Sequence, residues 1–303
     1  MISFNKGILF YHDAAGQGDV HAELGGVTAH LLKICKELVI YRSDAEGDIR
    51  KYCHTIKEEQ KDYDVLFILG GDGTVHELVN GVLEANLNLP IGILPGGTFN
   101  DFTKTLNLPP TPVEAVQVLV EGHVRHIDVM KANDRFVLNF IGMGLIVENS
   151  EAVVDEHKSK FGKFSYLFST LKTVTDPTFF DYELTVDGEK STGTASMIVV
   201  ANGKFVGGNR IPLKELIPDD GKMHAFIFKN GGIKIFTEMV KEKTTDNWNS
   251  ISKNVEHLEG TTMQIHTKRE MEVDVDGEID LKTPVNIEIL NKRLRLFAGP
   301  DQL

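Results

Sequence analysis

Residues 64–81 constrain what this chain can fold into more than any other stretch. An apolar run at 65–69 is typical of a strand that is buried on both faces. Three glycines then surround one aspartate, Asp72, and glycine lets a backbone turn sharply and approach a ligand closely. Thr74 and Glu77 have the spacing of a capping box, and apolar residues recur after them at helical intervals. The stretch therefore predicts a strand, a glycine turn and a helix.

The predicted helix start is a candidate site for an anion, phosphate above all, because its first N–H groups have no partners within the helix. Two familiar phosphate loops do not fit. No lysine follows Gly73, and His76 stands where a dinucleotide-binding loop needs a third glycine. The alternative is an ordinary strand–helix turn capped by Thr74. An acid at Asp72 would repel phosphate unless a cation lies between them, so we favour a nucleotide bound with Mg²⁺.

Composition and charge indicate a globular protein and disfavour some partners. The chain has 303 residues, 41% of them hydrophobic and 25% charged, which predicts one large or two medium domains. Its formal net charge of −12 disfavours nucleic acid as a partner. The sequence has neither a signal-peptide pattern nor a run of about 18 apolar residues, so we expect a cytosolic protein without a membrane span. Cys35 and Cys53 lie in helix-like segments and are expected to be reduced.

The first part of the chain, up to residue 121, alternates between strand-like and helix-like patterns. Strands are predicted at 7–11, 38–41, 64–69 and 91–94, and helices at 21–36, 45–61, 75–86 and 112–121. This alternation predicts an open parallel sheet in an α/β domain. Ligands bind beyond the carboxyl ends of the strands in such sheets, so the glycine loops at 70–74 and 95–98 are expected to face one cleft.

After residue 124 the pattern changes to short β-like runs separated by turn residues. Strands are predicted at 125–132, 135–141, 179–187, 194–202, 223–228, 262–267, 271–276 and 285–290, and helices at 155–174 and 233–245. The pattern predicts an antiparallel β-sandwich. The expected domains are a nucleotide-binding α/β domain at 1–124 and a β-sandwich at 125–291. The apolar run at 294–297 could pair in either domain, so residues 292–303 are allowed to pack back on the first one.

Several motifs occur in a fixed order along the chain, and together they point to a family. They are Gly70-Gly71-Asp72-Gly73-Thr74, Asn80-Gly81, Gly97-Thr98-Phe99-Asn100-Asp101-Phe102, Asp219-Asp220-Gly221 and Asp276-Gly277-Glu278. The set resembles the diacylglycerol kinase catalytic family, in particular the soluble bacterial lipid kinases that are similar to sphingosine kinases. The resemblance covers essentially the whole chain. It implies an ATP-binding α/β domain like that of NAD kinases and phosphofructokinases, followed by a β-sandwich with lipid-binding elements.

The resemblance also implies an activity and a set of site residues. The activity is Mg²⁺-dependent transfer of the γ-phosphoryl group of ATP to a lipid hydroxyl. The implied nucleotide contacts fall on His12, Gly16, Ser43, Gly71, Asp72, Gly73, Thr74, Glu77, Gly97, Thr98 and Asp101. The implied metal turn falls on Asp220 with the backbone carbonyls of Ile217 and Lys222. The implied catalytic glutamate is Glu278, and Asp72 is expected to act with it through Mg²⁺.

Simpler explanations exist for some of these residues. Glu278 follows a tight Asp-Gly turn that can present a carboxylate, but it could also be one acid on a solvated hairpin. The acids before Gly221 could form only a hairpin turn. An EF-hand at 272–283 is rejected, because Thr283 stands where that loop needs a bidentate glutamate. The segment 158–168 mixes bases with aromatic residues, which suits either a membrane surface or a helix packed on the sandwich.

The expected protein is a cytosolic lipid kinase in peripheral contact with a membrane. Its expected partner is a lipid substrate at a membrane surface, with diacylglycerol as the expected lipid, and a homodimer is left open. The chain departs from the family in the loop that follows the first predicted strand, where Gln17 replaces the usual lysine. An NAD kinase-like enzyme with a soluble substrate and a non-catalytic nucleotide- or lipid-binding regulator are the alternatives.

Overall fold

The chain forms two compact units, here called unit 1 (Met1–Ile127 with Lys292–Leu303) and unit 2 (Asp128–Asn291). The structure is a computed structural model and describes residues 2–12, 20–144, 178–211, 213, 216–229 and 255–300. The helices predicted at 155–174 and 233–245 lie outside these ranges, as do the segment 158–168, Gly16 and Gln17. No helix among the described residues is long and apolar enough to cross a membrane.

Unit 1 is an α/β structure built on parallel strands. The strands are β1 (Phe4–His12), β2 (Cys35–Ser43), β3 (Val65–Gly70) and β4 (Pro90–Pro95), and the helices are α1 (Val20–Leu31), α2 (Asp48–Glu58), α3 (Asp72–Glu84), α4 (Asp101–Thr105) and α5 (Pro112–Glu121). The strands pair in parallel in the order β2-β1-β3-β4. Arg295 and Leu296 add a further parallel pairing beside Pro90 and Ile91. The predicted open parallel sheet is confirmed.

The strand order creates a switch point in this sheet. The chain runs from β1 to β2 on one side and then returns to form β3 on the other side of β1. The carboxyl ends of β1 and β3 therefore border the crevice in which open α/β sheets bind ligands. Every residue of β3 and β4 is buried, as expected for apolar strands that are covered on both faces.

Two features of unit 1 differ from the sequence-based prediction. α1 ends at Leu31 and Cys35 opens β2, so the expectation that both cysteines lie in helices is wrong for Cys35. The sequence pattern also does not predict the short helix α4. Both thiols are free and buried, and burial raises the pKa of Cys35 to about 11 and that of Cys53 to about 12. Neither cysteine is therefore a reactive thiolate at neutral pH.

Unit 2 is built from antiparallel strands. They are β5 (Val124–Ala132), β6 (Arg135–Val137), β7 (Phe140–Gly144), β8 (Phe180–Val186), β9 (Glu189–Ala195), β10 (Met197–Ala201), β11 (Phe205–Val206), β12 (Asn209–Arg210), β13 (Met223–Phe228), β14 (Val255–Gly260), β15 (Thr262–Thr267), β16 (Glu272–Val275), β17 (Glu278–Lys282) and β18 (Val285–Phe297). By sequence, β5 begins and β18 ends in unit 1.

Two layers of strands enclose the core of unit 2. One layer is a sheet with the order β14-β13-β10-β7-β16-β17. In the other layer the strand order is β18-β15-β8-β9. Ile141, Ile198 and Ile227 from the first layer share a core with Leu184, Ile265 and Ile287 from the second. The predicted antiparallel sandwich is confirmed. Its tight turns at Asp187-Gly188 and Asp276-Gly277 have positive φ at both residues, as two-residue hairpin turns require.

Some strands of unit 2 are divided where the sequence pattern predicts one continuous run. The run 135–141 divides into β6 and β7, and the run 194–202 divides between β9 and β10. In each case the chain passes from one layer to the other, a step that an apolar pattern does not reveal. β14 and β17 mix charged with apolar residues, and the pattern predicts neither of them.

Candidate active site

The predicted nucleotide-binding residues of unit 1 follow the carboxyl ends of adjacent parallel strands. His12 ends β1 opposite Ser43, which ends β2 and is buried. Gly70 ends β3 opposite Pro95, which ends β4. His12, Ser43 and the two glycine loops that follow Gly70 and Pro95 therefore lie at one edge of the sheet. Gly16, which the resemblance also implies, is outside the described residues.

The two glycine loops are in contact through their backbones. The N–H of Gly96 donates to the carbonyl oxygen of Gly70 at 2.9 Å. A Cβ atom on Gly97 would lie 2.5 Å from the Cα of Gly71, which the two backbones cannot accommodate without moving apart. Position 97 therefore requires glycine, because the backbones of the two loops approach too closely to leave room for a Cβ atom.

Asp72 connects the first glycine loop to the second. Its Oδ1 accepts the backbone N–H of Asp101 at 2.8 Å, and Asp101 is buried at the start of α4. Asn100 has a left-handed φ of 51° and exchanges two hydrogen bonds of 2.8 Å with Gly97, while Thr98 between them is exposed. Asn100 therefore shapes the second loop. From the sequence Asn100 is a candidate cap of a Pro-Gly turn, and its two hydrogen bonds with Gly97 agree with that interpretation.

α3 begins one residue after its N-cap, Gly71, which has an extended backbone. The N-cap of this helix is Gly71 and not Thr74, so the predicted capping box of Thr74 and Glu77 is wrong. Thr74 lies within the first turn, because the helix starts earlier than the box requires. A Cβ atom on Gly73 would meet none of the described residues within 4 Å, so the described part of the chain leaves room beside this residue. A helix start with such room beside it favours an anion.

Glu77 caps a neighbouring helix. Its Oε1 accepts the N–H groups of Ile49 at 2.8 Å and Arg50 at 3.3 Å, which lie in the first turn of α2. The N-cap of α2, Gly47, has a left-handed backbone and makes no side-chain cap, so Glu77 supplies the acceptor from α3. A contact between Glu77 and a nucleotide remains a prediction.

A buried aspartate that sequence reasoning missed holds the predicted metal turn of unit 2. Asp128 is 0% exposed. Its N–H donates to the carbonyl oxygen of Pro218 at 2.8 Å, and its Oδ2 accepts the N–H of Gly221 at 2.6 Å. The sequence signal that could have revealed Asp128 is its position as a single acid between the apolar residues Ile127 and Val129. A charge buried among apolar residues is costly unless it is paired, so such an acid is expected to have a specific partner.

The three predicted metal-turn residues lie on the loop that precedes β13. Oδ1 of Asp220 accepts the N–H of Lys222 at 2.9 Å, and its Oδ2 lies 3.6 Å from Nε2 of His224. Ile217, the third residue, is 39% exposed. Carboxylate and carbonyl oxygens are the ligands that Mg²⁺ prefers, so this donor set fits a hard cation. Metal binding at this turn remains a prediction.

Glu278 follows an anchored turn. It begins β17, pairs with Val275 across the two-residue turn and is partly exposed. Asp276, in the turn, is buried and accepts the N–H groups of residues 138–140 at 2.8, 2.9 and 2.9 Å. Oδ1 of Asp274, also buried, accepts the N–H of Gly277 at 2.6 Å. The alternative explanation, a solvated acidic hairpin, is therefore wrong for Asp274 and Asp276. The role of Glu278 as a base remains a prediction.

Asn202 connects the metal turn to the Glu278 hairpin within unit 2. Its Nδ2 donates to the carbonyl oxygens of Asp128 and Leu138 at 2.9 and 3.0 Å. Asp128 shapes the metal turn, and Leu138 donates to Asp276. The buried side-chain amide of Asn202 therefore links Asp128, which holds the metal turn, to Leu138, which donates to the turn before Glu278. Sequence reasoning missed this residue.

The chain combines a parallel α/β unit, which carries glycine loops at its carboxyl edge, with an antiparallel β unit. Residues 6–132 match the family model described as the diacylglycerol kinase catalytic domain, and residues 141–298 match the YegS C-terminal NAD kinase beta sandwich-like domain. The chain belongs to the diacylglycerol kinase catalytic family.

Known proteins resemble the chain over nearly its full length. A Staphylococcus epidermidis protein is 48% identical over 301 residues, covering 99% of this chain and 98% of the relative. A Staphylococcus haemolyticus protein is 50% identical over 300 residues, covering 98% and 97%. Both are named "Putative lipid kinase". A solved structure described as a diacylglycerol kinase of Bacillus anthracis has a TM-score of 0.87 at 33% identity, covering 99% of each chain.

Proposed function

We propose that this protein is an ATP- and Mg²⁺-dependent lipid kinase that phosphorylates diacylglycerol to phosphatidic acid. The observation that carries the proposal is the hydrogen bond from the Asp101 N–H to Asp72, which joins the glycine loops that follow β3 and β4 at the carboxyl edge of a parallel sheet. The names of the two staphylococcal relatives support a lipid acceptor. The similarity to a Bacillus anthracis protein described as a diacylglycerol kinase supports diacylglycerol as that acceptor.

The residues of unit 1 fit a nucleotide triphosphate with a bound cation. The described residues leave room beside Gly73 at the start of α3, where phosphate oxygens could accept the N–H groups of the helix. Asp72 puts a carboxylate beside that space, which suits Mg²⁺ and its waters. Asp72 and Asp101 would hold the cation with the phosphates, and Asp220 with its turn would hold a second one. Mg²⁺, when bound, neutralises phosphate charge.

The proposed chemistry is a single phosphoryl transfer. The lipid hydroxyl oxygen forms a bond to the γ-phosphorus while the bond from that phosphorus to the β,γ-bridging oxygen breaks. Glu278 accepts the hydroxyl proton, and the leaving ADP carries away the electron pair. Gly71, Gly73 and Thr74 hold the phosphates during the reaction through the first turn of α3, because phosphoryl transfer depends mainly on positioning and charge stabilisation.

The acceptor is also proposed to come from a membrane surface. Ile279, next to Glu278, is 39% exposed, as is Ile217 beside the metal turn. Because a lipid acceptor lies in a bilayer, these two side chains beside proposed catalytic groups are proposed to approach its surface. We infer a cytoplasmic protein in peripheral contact with the membrane.

Radiolabelled ATP with a panel of acceptors tests the function. Vesicles containing diacylglycerol should yield labelled phosphatidic acid, while sphingosine vesicles and NAD should yield far less product. Preferential phosphorylation of NAD would instead establish an enzyme with a soluble substrate. ATP binding without transfer to any acceptor would establish a regulator. The Asp134→Asn variant, altered at an exposed hairpin turn, is the control for nonspecific effects of losing a carboxylate.

A further inference from the structure

Three potential metal ligands converge on one face of β13 and β14. His224 and Glu259 are direct cross-strand partners, and His257 precedes Glu259 by two residues on β14. Met223 and Ala225 belong to the core of unit 2, so His224 between them lies on the opposite face of the sheet. Residues two apart on a strand share a face, which brings both β14 side chains beside His224.

The candidate ligand atoms lie at distances that suit one ion. Nδ1 of His224 is 3.0 Å from Nε2 of His257 and 4.0 Å from Oε2 of Glu259. One potential ligand atom from each of the three residues lies within 4.8 Å of the other two. A tetrahedral ion with bonds of about 2.0–2.1 Å keeps neighbouring ligand atoms about 3.3 Å apart. The two histidine nitrogens are closer than this and their rings are nearly parallel, with 8° between the planes, so both rings would have to rotate to bind one ion.

The groups around these atoms resemble the outer shell of a metal site. His224 is 1% exposed, and its Nε2 makes no hydrogen bond within the described ranges, although Oδ2 of Asp220 lies 3.6 Å away. Metal-bound histidines usually direct their second ring nitrogen toward a carboxylate or carbonyl. Oε1 of Glu259 is paired with Nζ of Lys222, and its Oε2 is the oxygen that approaches His224.

We propose that His224, His257 and Glu259 form a binding site for a divalent transition-metal ion, with Zn²⁺ as the ion of best fit. Two imidazole nitrogens and one carboxylate oxygen suit Zn²⁺, whereas Mg²⁺ prefers oxygen ligands. Three protein ligands leave one tetrahedral position for water. The site shares no ligand atom with the proposed Mg²⁺ turn, but Asp220 lies beside both. The competing explanation is a hydrogen bond between the two imidazoles, which the 3.0 Å distance also permits.

Metal titration of the full-length, tag-free protein tests this site. After removal of metals by a chelator, calorimetric titration with ZnCl₂ in excess MgCl₂ should show one site per chain and a raised thermal midpoint. CoCl₂ should produce visible absorption bands of a tetrahedral complex. His257→Gln and Glu259→Gln each alter a residue that is not fully buried, and each should weaken Zn²⁺ binding by more than about 10-fold, since each removes a ligand.

A matched control separates this site from nonspecific binding by surface histidines. His266 is an exposed histidine on β15 in the same unit, and His266→Asn should keep the full Zn²⁺ affinity. The proposal is overturned if the parent protein binds no Zn²⁺ in excess Mg²⁺. It is also overturned if both ligand variants bind Zn²⁺ with the parent affinity. A hydrogen bond between the two imidazoles would then explain their close approach. Kinase activity is not the readout, so a failure here leaves the proposed function standing.

Discussion

Oδ1 of Asp72 accepts the backbone N–H of Asp101, 29 residues later, so a carboxylate from one glycine loop positions the start of the next helix. The same carboxylate is proposed to hold Mg²⁺. These two roles can be separated by substitution. Asparagine keeps an acceptor oxygen for the Asp101 N–H but carries no charge, whereas alanine removes both the acceptor and the charge.

Asp72→Asn should reduce turnover by roughly 10²–10³-fold while the thermal midpoint stays close to that of the parent, because only the charge is lost. Asp72→Ala should also lower the free energy of unfolding by about 1 kcal/mol through the lost hydrogen bond. Steady-state kinetics with labelled ATP and thermal unfolding measure the two effects. A parent-like rate in Asp72→Asn would show that the charge plays no part in catalysis.

Gly97→Ala should separate the two glycine loops, because the added Cβ would lie 2.5 Å from the Cα of Gly71. We expect a loss of about 1–3 kcal/mol in unfolding free energy and weaker ATP binding. Gly25→Ala is the matched control, since a Cβ there meets nothing within 4 Å and lies in α1. It should be neutral or stabilising by about 0.5–1 kcal/mol. Equal stability of the two variants would contradict the close approach.

Glu278→Gln should lower turnover by roughly 10²–10⁴-fold, because a general base would be lost while the side-chain volume is kept. The fold should survive, since the turn is anchored by Asp276. Glu272→Gln, on the neighbouring strand β16 of the same hairpin, is the control and should keep the parent rate. Near-normal turnover in Glu278→Gln would remove this residue from the mechanism.

Asp220→Ala should weaken the dependence of the rate on Mg²⁺ without unfolding unit 2. Asp128→Ala should act differently, because it leaves the Gly221 N–H without its buried acceptor and should cost about 1–3 kcal/mol of stability. Mg²⁺ titrations of the rate and thermal unfolding distinguish the two variants. If Asp220→Ala changes neither the Mg²⁺ dependence nor the thermal midpoint, the metal role of this turn is wrong.

Asp187 should make the stability of the folded protein depend on acid pH. The N–H of Thr262, and then the hydroxyl and N–H of Thr261, lower the pKa of the Asp187 carboxyl below its usual value. This stabilisation is present above the unfolded pKa of about 3.9 and is lost as the pH falls through the folded pKa. Denaturant midpoints should therefore depend less on acid pH in Asp187→Asn. Identical pH profiles for the two proteins would contradict this assignment.

Local signals in the sequence account for much of the fold. The helix predicted at about 112–121 corresponds to α5, which Thr111 caps, Pro112 opens and Gly122 follows with a left-handed backbone. The Asp-Gly turns follow from the need for positive φ at two successive residues. Each of these signals lies within a few residues of the feature that it predicts.

The parallel and antiparallel halves and the glycine loops can be predicted from the sequence, because hydrophobic periodicity and glycine affect the conformation of nearby residues. Three contacts depend on tertiary packing instead: Glu77 caps α2, Asp128 holds the metal turn, and Asn202 bridges Asp128 to Leu138. Those contacts join residues that are 28 to 93 positions apart. No local pattern records them, because a buried polar group finds its partner only when distant segments pack together.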